Sequence, residues 1–168
     1  MLSLTCQRVS STNPRLTRPP STVLKGIPAL LTPDALHALA SMGHGDVLAI
    51  VDAHFPAARV AARAGARLVQ LPGADTPTLM RAVLRLLPLD THTDEAAWTM
   101  QVIGQPQAVP PAVAEIRGVL GAEGRSAATL ERHAFYAAAE RAFAIFRCGE
   151  TRTYGNVLLA KGVVADPS

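Results

Sequence analysis

Gly43-His44-Gly45-Asp46-Val47-Leu48-Ala49-Ile50-Val51-Asp52-Ala53-His54-Phe55-Pro56 decides how this chain folds. The five apolar residues Val47 to Val51 form a short continuous run bounded by turn residues, the pattern of a buried strand. A His/Asp pair stands at each end of it, each in a sequence that favours a turn. Ionisable groups at strand ends are where α/β proteins commonly do their chemistry.

Upstream, Thr32-Pro33-Asp34 predicts a helix start, with Thr32 as N-cap, proline in the first helical position and an acid in the first turn. Ala35, Leu36, Leu39 and Ala40 give that helix its apolar face, and Gly43 suits its end. Downstream, a strand is expected over 67–71. A helix over 78–87 follows, opened by Asp75-Thr76-Pro77 and closed by Pro88. Residues 97–103 read as strand, 109–120 as helix with Gly121 beyond its end, and 132–141 as an alanine-rich helix. Residues 142–147 then read as extended, stopped by Cys148-Gly149-Glu150, and 156–160 as a last strand. Helices alternating with short apolar strands predict a single α/β domain, a layered and largely parallel sheet with flanking helices.

The chain has 168 residues, enough to bury a sizeable core without metals or disulfides. Apolar residues make up 49% but aromatics only 4%, so the core must be packed with Ala, Val and Leu. No apolar run approaches the roughly twenty residues that a bilayer-spanning helix needs, so no membrane partner is expected. The net charge is +3, yet Arg8, Arg15, Arg18 and Lys25 stand in a first segment without acids, which leaves 12 basic against 13 acidic residues in the body. A nucleic-acid footprint needs basic residues clustered on a folded face, so nucleic acid is not an expected partner. Cys6 and Cys148 make no disulfide framework, and a reducing cytoplasm is the simplest location.

Residues 1–24 are rich in Ser, Thr, Pro and Arg without an apolar period, which predicts a disordered extension before a domain over 25–168. Arg and Ser without acids suit a transit peptide, but the prolines spoil an amphipathic helix. An upstream start site explains the segment more simply.

His44 lies between two glycines just after a helix, where no core face awaits it. Imidazole titrates near neutrality and can both donate and accept a proton, so His44 is the candidate acid/base. Asp46 reads as a turn residue whose carboxylate caps nearby amides. Asp52 directly follows the buried strand, where it serves either as a turn cap or as an acceptor for a polar ligand. His54 with Asp52 would make a metal pair with His44 and Asp46, but no HxxxH helix or cysteine ligand accompanies them, so no metal is expected. Tyr154-Gly155-Asn156 sets a hydroxyl and an amide at a strand start, with Gly155 permitting close backbone approach. Those groups read sugar hydroxyls, and they equally make an ordinary strand start. Arg147 and Arg152 read as solvated. Phosphate-binding and nucleophile-elbow motifs are absent, and no nearby group activates Cys148.

Taken together, Leu24-Lys25-Gly26-Ile27, Leu31-Thr32-Pro33, Met42-Gly43-His44-Gly45-Asp46, Asp52-Ala53-His54-Phe55-Pro56, Arg132 with Ala134-Phe135-Tyr136, Ala142-Phe143-Ala144-Ile145, Gly149-Glu150 and Tyr154-Gly155-Asn156 resemble the D-ribose pyranase and L-fucose mutarotase family. The resemblance runs over about 23–164 and is weak over 59–124. Arg132 and the glycine of Tyr154-Gly155-Asn156 are similar to the fucose branch, where the ribose branch carries His and Tyr-Ala-Asn. The resemblance implies a sugar mutarotase without cofactor, acting on L-fucose, with D-ribose the alternative. It further implies His44 as proton donor, Asp52, Arg132, Tyr154, Gly155 and Asn156 as sugar contacts, and a ring-shaped homo-oligomer, commonly a decamer, with sites at subunit interfaces. A non-catalytic sugar-binding module associated with transport is the competing reading.

Eight residue steps from His44 to Asp52 cover about 26 Å if extended, at roughly 3.3 Å per residue. One monosaccharide is far shorter. Either the two glycines fold His44 back along the strand, or a neighbouring subunit completes the site.

Overall fold

A computed structural model describes residues 24–164, and the expected extension falls almost wholly outside them. The elements follow in the order α1 (Pro33–Ser41), β1 (Val47–Val51), α2 (Ala57–Ala64), β2 (Arg67–Leu71), α3 (Thr76–Leu84), β3 (Ala97–Met100), α4 (Pro111–Ala122), β4 (Ala128–Leu130), α5 (Arg132–Ala139), β5 (Ala144–Cys148) and β6 (Val157–Ala160). The six strands form one sheet in the order β2-β5-β1-β6-β3-β4. β1 and β2 pair parallel with β5, and β3 pairs parallel with β4. Only β6 runs against its two neighbours, so the sheet is largely parallel, as expected.

β1 lies near the middle and alternates its side chains between two cores. Leu48 and Ile50 join the layer under α1, α3 and α4. Ala49 and Val51 join the layer under α2 and α5. Both faces of the strand are thus removed from water, which is why its sequence is an unbroken apolar run. α1 begins as its sequence requires, with the Thr32 hydroxyl accepting from the Ala35 N–H at 3.3 Å. α3 starts two residues earlier than expected because Asp75 is the cap, accepting from the Thr78 N–H at 2.9 Å.

The sequence reading misses α2 and β4. α2 is only eight residues of Ala, Arg and Val, and although its apolar side is well segregated from its arginines, the buried face is only Ala57, Val60 and Ala61. Pro56 before it and Gly65 after it, with φ 63° in the left-handed region, were the available signals. β4 is three half-buried residues at the sheet edge, too short to leave a pattern.

The antiparallel course of β6 positions the site. Ile50 of β1 lies opposite Val157, so the chain entering β6 sits beside the chain leaving β1. At the other end Val47 lies opposite Ala160, and the Gly45 N–H donates to the Lys161 carbonyl at 2.8 Å.

Candidate functional site

Where β1 ends and β6 begins, a pocket of about 220 Å³ opens on the surface. Asp52, His54, Asn156, Tyr154, Arg132 and Thr153 supply its polar groups, with Phe55, Met100, Ile103 and Tyr136 as apolar walls. It is small beside the roughly 300–1,000 Å³ of drug-sized sites.

Asp52 is buried and nearly saturated. Oδ1 accepts from the N–H groups of His54 and Phe55, each at 2.9 Å, and Oδ2 accepts from Asn156 Nδ2 at 2.8 Å. The Asp52 N–H returns a bond to Asn156 Oδ1 at 2.9 Å. A carboxylate has about four acceptor positions, so one on Oδ2 remains for a ligand. Burial raises the Asp52 pKa, and the His54 N–H and Asn156 amide oppose that rise. Asp52 therefore serves as a turn cap, the first of the two roles its sequence position allows, and it also holds Asn156.

Tyr154 is the one non-glycine residue with positive φ among the described residues, at 66°. Such a backbone costs on the order of 1–3 kcal/mol and persists where the surroundings impose it. Here the strain aims the ring into the pocket's rim, where its hydroxyl accepts from the Ile103 N–H at 3.3 Å. Arg132, the first residue of α5, lies over the Tyr136 ring at 5.6 Å, and that ring stacks on Phe55 at 5.1 Å. The guanidinium is thus steered by the stacked pair of Tyr136 and Phe55.

Gly155 does not line the pocket. A Cβ there would stand 2.5 Å from Glu150 Cγ, so glycine is needed for close approach to a buried glutamate. Arg152 grips Glu150 through Nε at 2.9 Å and Nη2 at 2.8 Å and reaches Glu115 at 2.6 Å. The expectation of solvated arginines is corrected: Arg152 locks the turn before β6, and Arg147 donates to the Ala53 carbonyl at 2.6 Å. Hydrogen bonds from Arg152 lower the Glu150 pKa, keeping it ionised.

His44 is not in this pocket. It sits beyond the opposite end of β1, where its Nε2 meets Asp90 Oδ1 at 3.2 Å. β1 alone spans about 16 Å at roughly 3.3 Å per residue, so the two glycines do not fold His44 back to Asp52. Asp46 caps its own turn by accepting from the Gly43 N–H at 2.7 Å, as read from the sequence. His54 Nε2 pairs with the Thr151 carbonyl at 3.1 Å, at the pocket end of β1 and apart from His44.

Asp90 is the residue the sequence reading missed. It is buried, its Oδ1 accepts from the His92 N–H at 2.9 Å, and its Oδ2 accepts from the Thr93 hydroxyl at 3.4 Å. The His92 amide, with His44 beside it, holds its pKa down to about 2. A carboxylate so fixed orients the imidazole beside it. Asp90 follows Leu89 in a segment without regular structure, and only the β6 edge, through Ala160, brings it to His44. No helix among the described residues is long and apolar enough to cross a membrane.

Residues 25–164 match the model of the RbsD / FucU transport protein family. The human fucose mutarotase is 42% identical over 147 residues, covering 84% of this chain and 95% of that protein. The crystal structure of the fucose mutarotase from Streptococcus pneumoniae in complex with L-fucose superposes with a TM-score of 0.77 at 34% identity, over 84% of this chain and all of that one. Bacillus subtilis RbsD complexed with D-ribose shares the fold, with a TM-score of 0.65 at 21% identity over 80% of this chain and 95% of that one.

Proposed function

Because the chain belongs to the RbsD / FucU transport protein family, we propose that it is an isomerase, a mutarotase that interconverts the anomers of L-fucose. The observation that carries this reading is the pocket itself. One buried carboxylate–amide pair, a tyrosine hydroxyl and an arginine converge on a space sized for a small polar ligand, in a chain 34% identical to a fucose mutarotase holding L-fucose.

Mutarotation breaks the bond between C1 and the ring oxygen of a cyclic hemiacetal. The anomeric hydroxyl loses its proton to a base as the ring oxygen receives one from an acid, leaving an open aldehyde. Rotation about C1–C2 and the reverse transfers close the ring on the other carbonyl face. Atoms and electrons are unchanged overall, so the chemistry asks for proton transfer and positioning only, and the proposal includes no cofactor.

His44 is the proposed proton donor, with the Asp90 carboxylate at 3.2 Å orienting its ring. A positioned acid/base group contributes typically about 10² to 10⁴ in rate. Asp52, Arg132, Tyr154 and Asn156 are the proposed hydroxyl contacts, with Gly155 setting the backbone between the last two. The apolar wall of Met100, Ile103 and Phe55 suits the methyl group of a 6-deoxy sugar.

The length of β1 separates this donor from this pocket within one subunit. We therefore propose a homo-oligomer in which His44 of one copy faces the sugar pocket of another, the decameric ring implied by the resemblance, working in the cytoplasm.

NMR exchange spectroscopy on L-fucose tests the function. Exchange between α and β anomers accelerated by the protein, and lost in His44→Ala, is expected. Sugar binding without acceleration would instead identify a binding module, and acceleration confined to D-ribose would move the substrate to the ribose branch.

A further inference from the structure

We propose that His44, Asp90 and His92 form a site for one zinc ion per chain, and that zinc bound there withholds His44 from proton transfer. The inhibitory part rests on the proposed role of His44; the binding part does not.

Both imidazoles converge on one carboxylate oxygen. Asp90 Oδ1 lies 3.2 Å from His44 Nε2 and 3.4 Å from His92 Nδ1, and the donor atoms of the three residues lie within 4.8 Å of one another. Nitrogen and oxygen ligands placed about 2.0–2.2 Å from a tetrahedral zinc stand about 3.3 Å apart. Two of the three edges thus already have that length. The third closes by turning imidazoles that are 49% and 64% exposed, which costs little packing. Their rings meet edge to face at 5.4 Å, so they do not stack in a way that would hold the nitrogens apart.

The carboxylate is the fixed member. Asp90 is 6% exposed, and the His92 N–H, the Thr93 hydroxyl and Arg125, which donates to the Asp90 carbonyl at 2.5 Å, all restrain it. Outer hydrogen bonds of this kind orient ligands in metal sites. Two imidazoles and a single carboxylate select zinc or a neighbouring late transition metal over magnesium or calcium, which require mostly oxygen. Three protein ligands leave a fourth position to water.

His92 has no part in the proposed sugar chemistry, which makes it the discriminating residue. When zinc takes the Nε2 lone pair of His44, that nitrogen can no longer carry a proton, so occupancy and turnover exclude each other.

The full-length protein, stripped with EDTA and dialysed, is titrated with ZnCl₂ by calorimetry and with CoCl₂ by visible absorption, alongside His92→Ala. One zinc per chain, the intense visible bands of a tetrahedral cobalt centre, and binding weakened at least about tenfold in His92→Ala are expected. L-Fucose exchange is expected to fall with zinc occupancy and to return with EDTA. No zinc binding, or binding indifferent to His92→Ala, overturns the site while leaving the mutarotase reading intact. Full occupancy with undiminished exchange overturns the inhibition. Absence of exchange in the metal-free protein contradicts the mutarotase reading and leaves the zinc site standing on calorimetry and cobalt spectra.

Discussion

Asp52 and Asn156, 104 positions apart in sequence, exchange two hydrogen bonds: the Asp52 N–H donates to Asn156 Oδ1 at 2.9 Å, and Asn156 Nδ2 donates to Asp52 Oδ2 at 2.8 Å. This reciprocal pair welds the exit of β1 to the entrance of β6 and forms the floor of the pocket. Its members have only donors facing acceptors, so either side chain is intolerant of a swap between acid and amide.

Asp52→Asn tests that intolerance. The new amide must turn an NH₂ group toward either the Asn156 amide or the two backbone N–H groups, and a donor then meets a donor. A buried group left unpaired costs about 1–3 kcal/mol, so a lower midpoint in urea is expected, together with weaker sugar binding. Stability equal to wild type would show that the pair is dispensable.

Gly155→Ala places a methyl 2.5 Å from Glu150 Cγ, where Arg152 holds the glutamate against yielding. Overpacking of this kind costs typically about 1–3 kcal/mol. The strain is passed to Tyr154 and Asn156 on either side, so sugar affinity is expected to fall with stability. Calorimetric melting and a sugar titration check both.

Glu150→Gln reports on pH. Arg152 lowers the glutamate's pKa in the folded state below its ordinary 4.5, so the folded protein favours the ionised form. That stabilisation is fully present above the unfolded value and is lost as pH falls through the lowered one. The variant is expected to be less stable than wild type at neutral pH, with the gap narrowing as pH drops below 4.5. A gap that widens in acid would reverse the sign and refute the assignment.

Asp90→Asn keeps the shape beside His44 but removes the charge. Loss of orientation can cost up to about 10²-fold in rate, and the proposed hydroxyl contacts Asp52, Arg132, Tyr154 and Asn156 are left intact. Slower L-fucose exchange with unchanged sugar affinity is expected from paired NMR exchange and binding measurements. A loss of affinity without loss of rate would place Asp90 in the wrong role.

The buried β1, the cap of α1 and the largely parallel sheet were legible because each rests on local chemistry: an unbroken apolar run, a Thr before a Pro. α2 was hidden because it is only eight residues long and its buried face is made of small side chains, although that face has a clear helical period. Gathering Asp52, Arg132, Tyr154 and Asn156 into one pocket required the antiparallel β6, which no local pattern announces. Asp90 escaped for the same reason, since it meets His44 only through the far edge of that strand. The separation of His44 from Asp52 was legible, because the rise of a strand is fixed. Which way the glycines turned the loop was not.

The central claim is that two copies of this chain complete one catalytic site, and mixing tests it most directly. His44→Ala has the pocket without the donor, and Tyr154→Phe with Asn156→Ala has the donor with a defective pocket. Each homo-oligomer is expected to be slow in L-fucose anomer exchange measured by NMR. After subunits are mixed by unfolding and refolding together, interfaces pairing an intact His44 with an intact pocket are expected to restore exchange. Mixed oligomers that form but stay as slow as their parents would contradict a site shared between subunits.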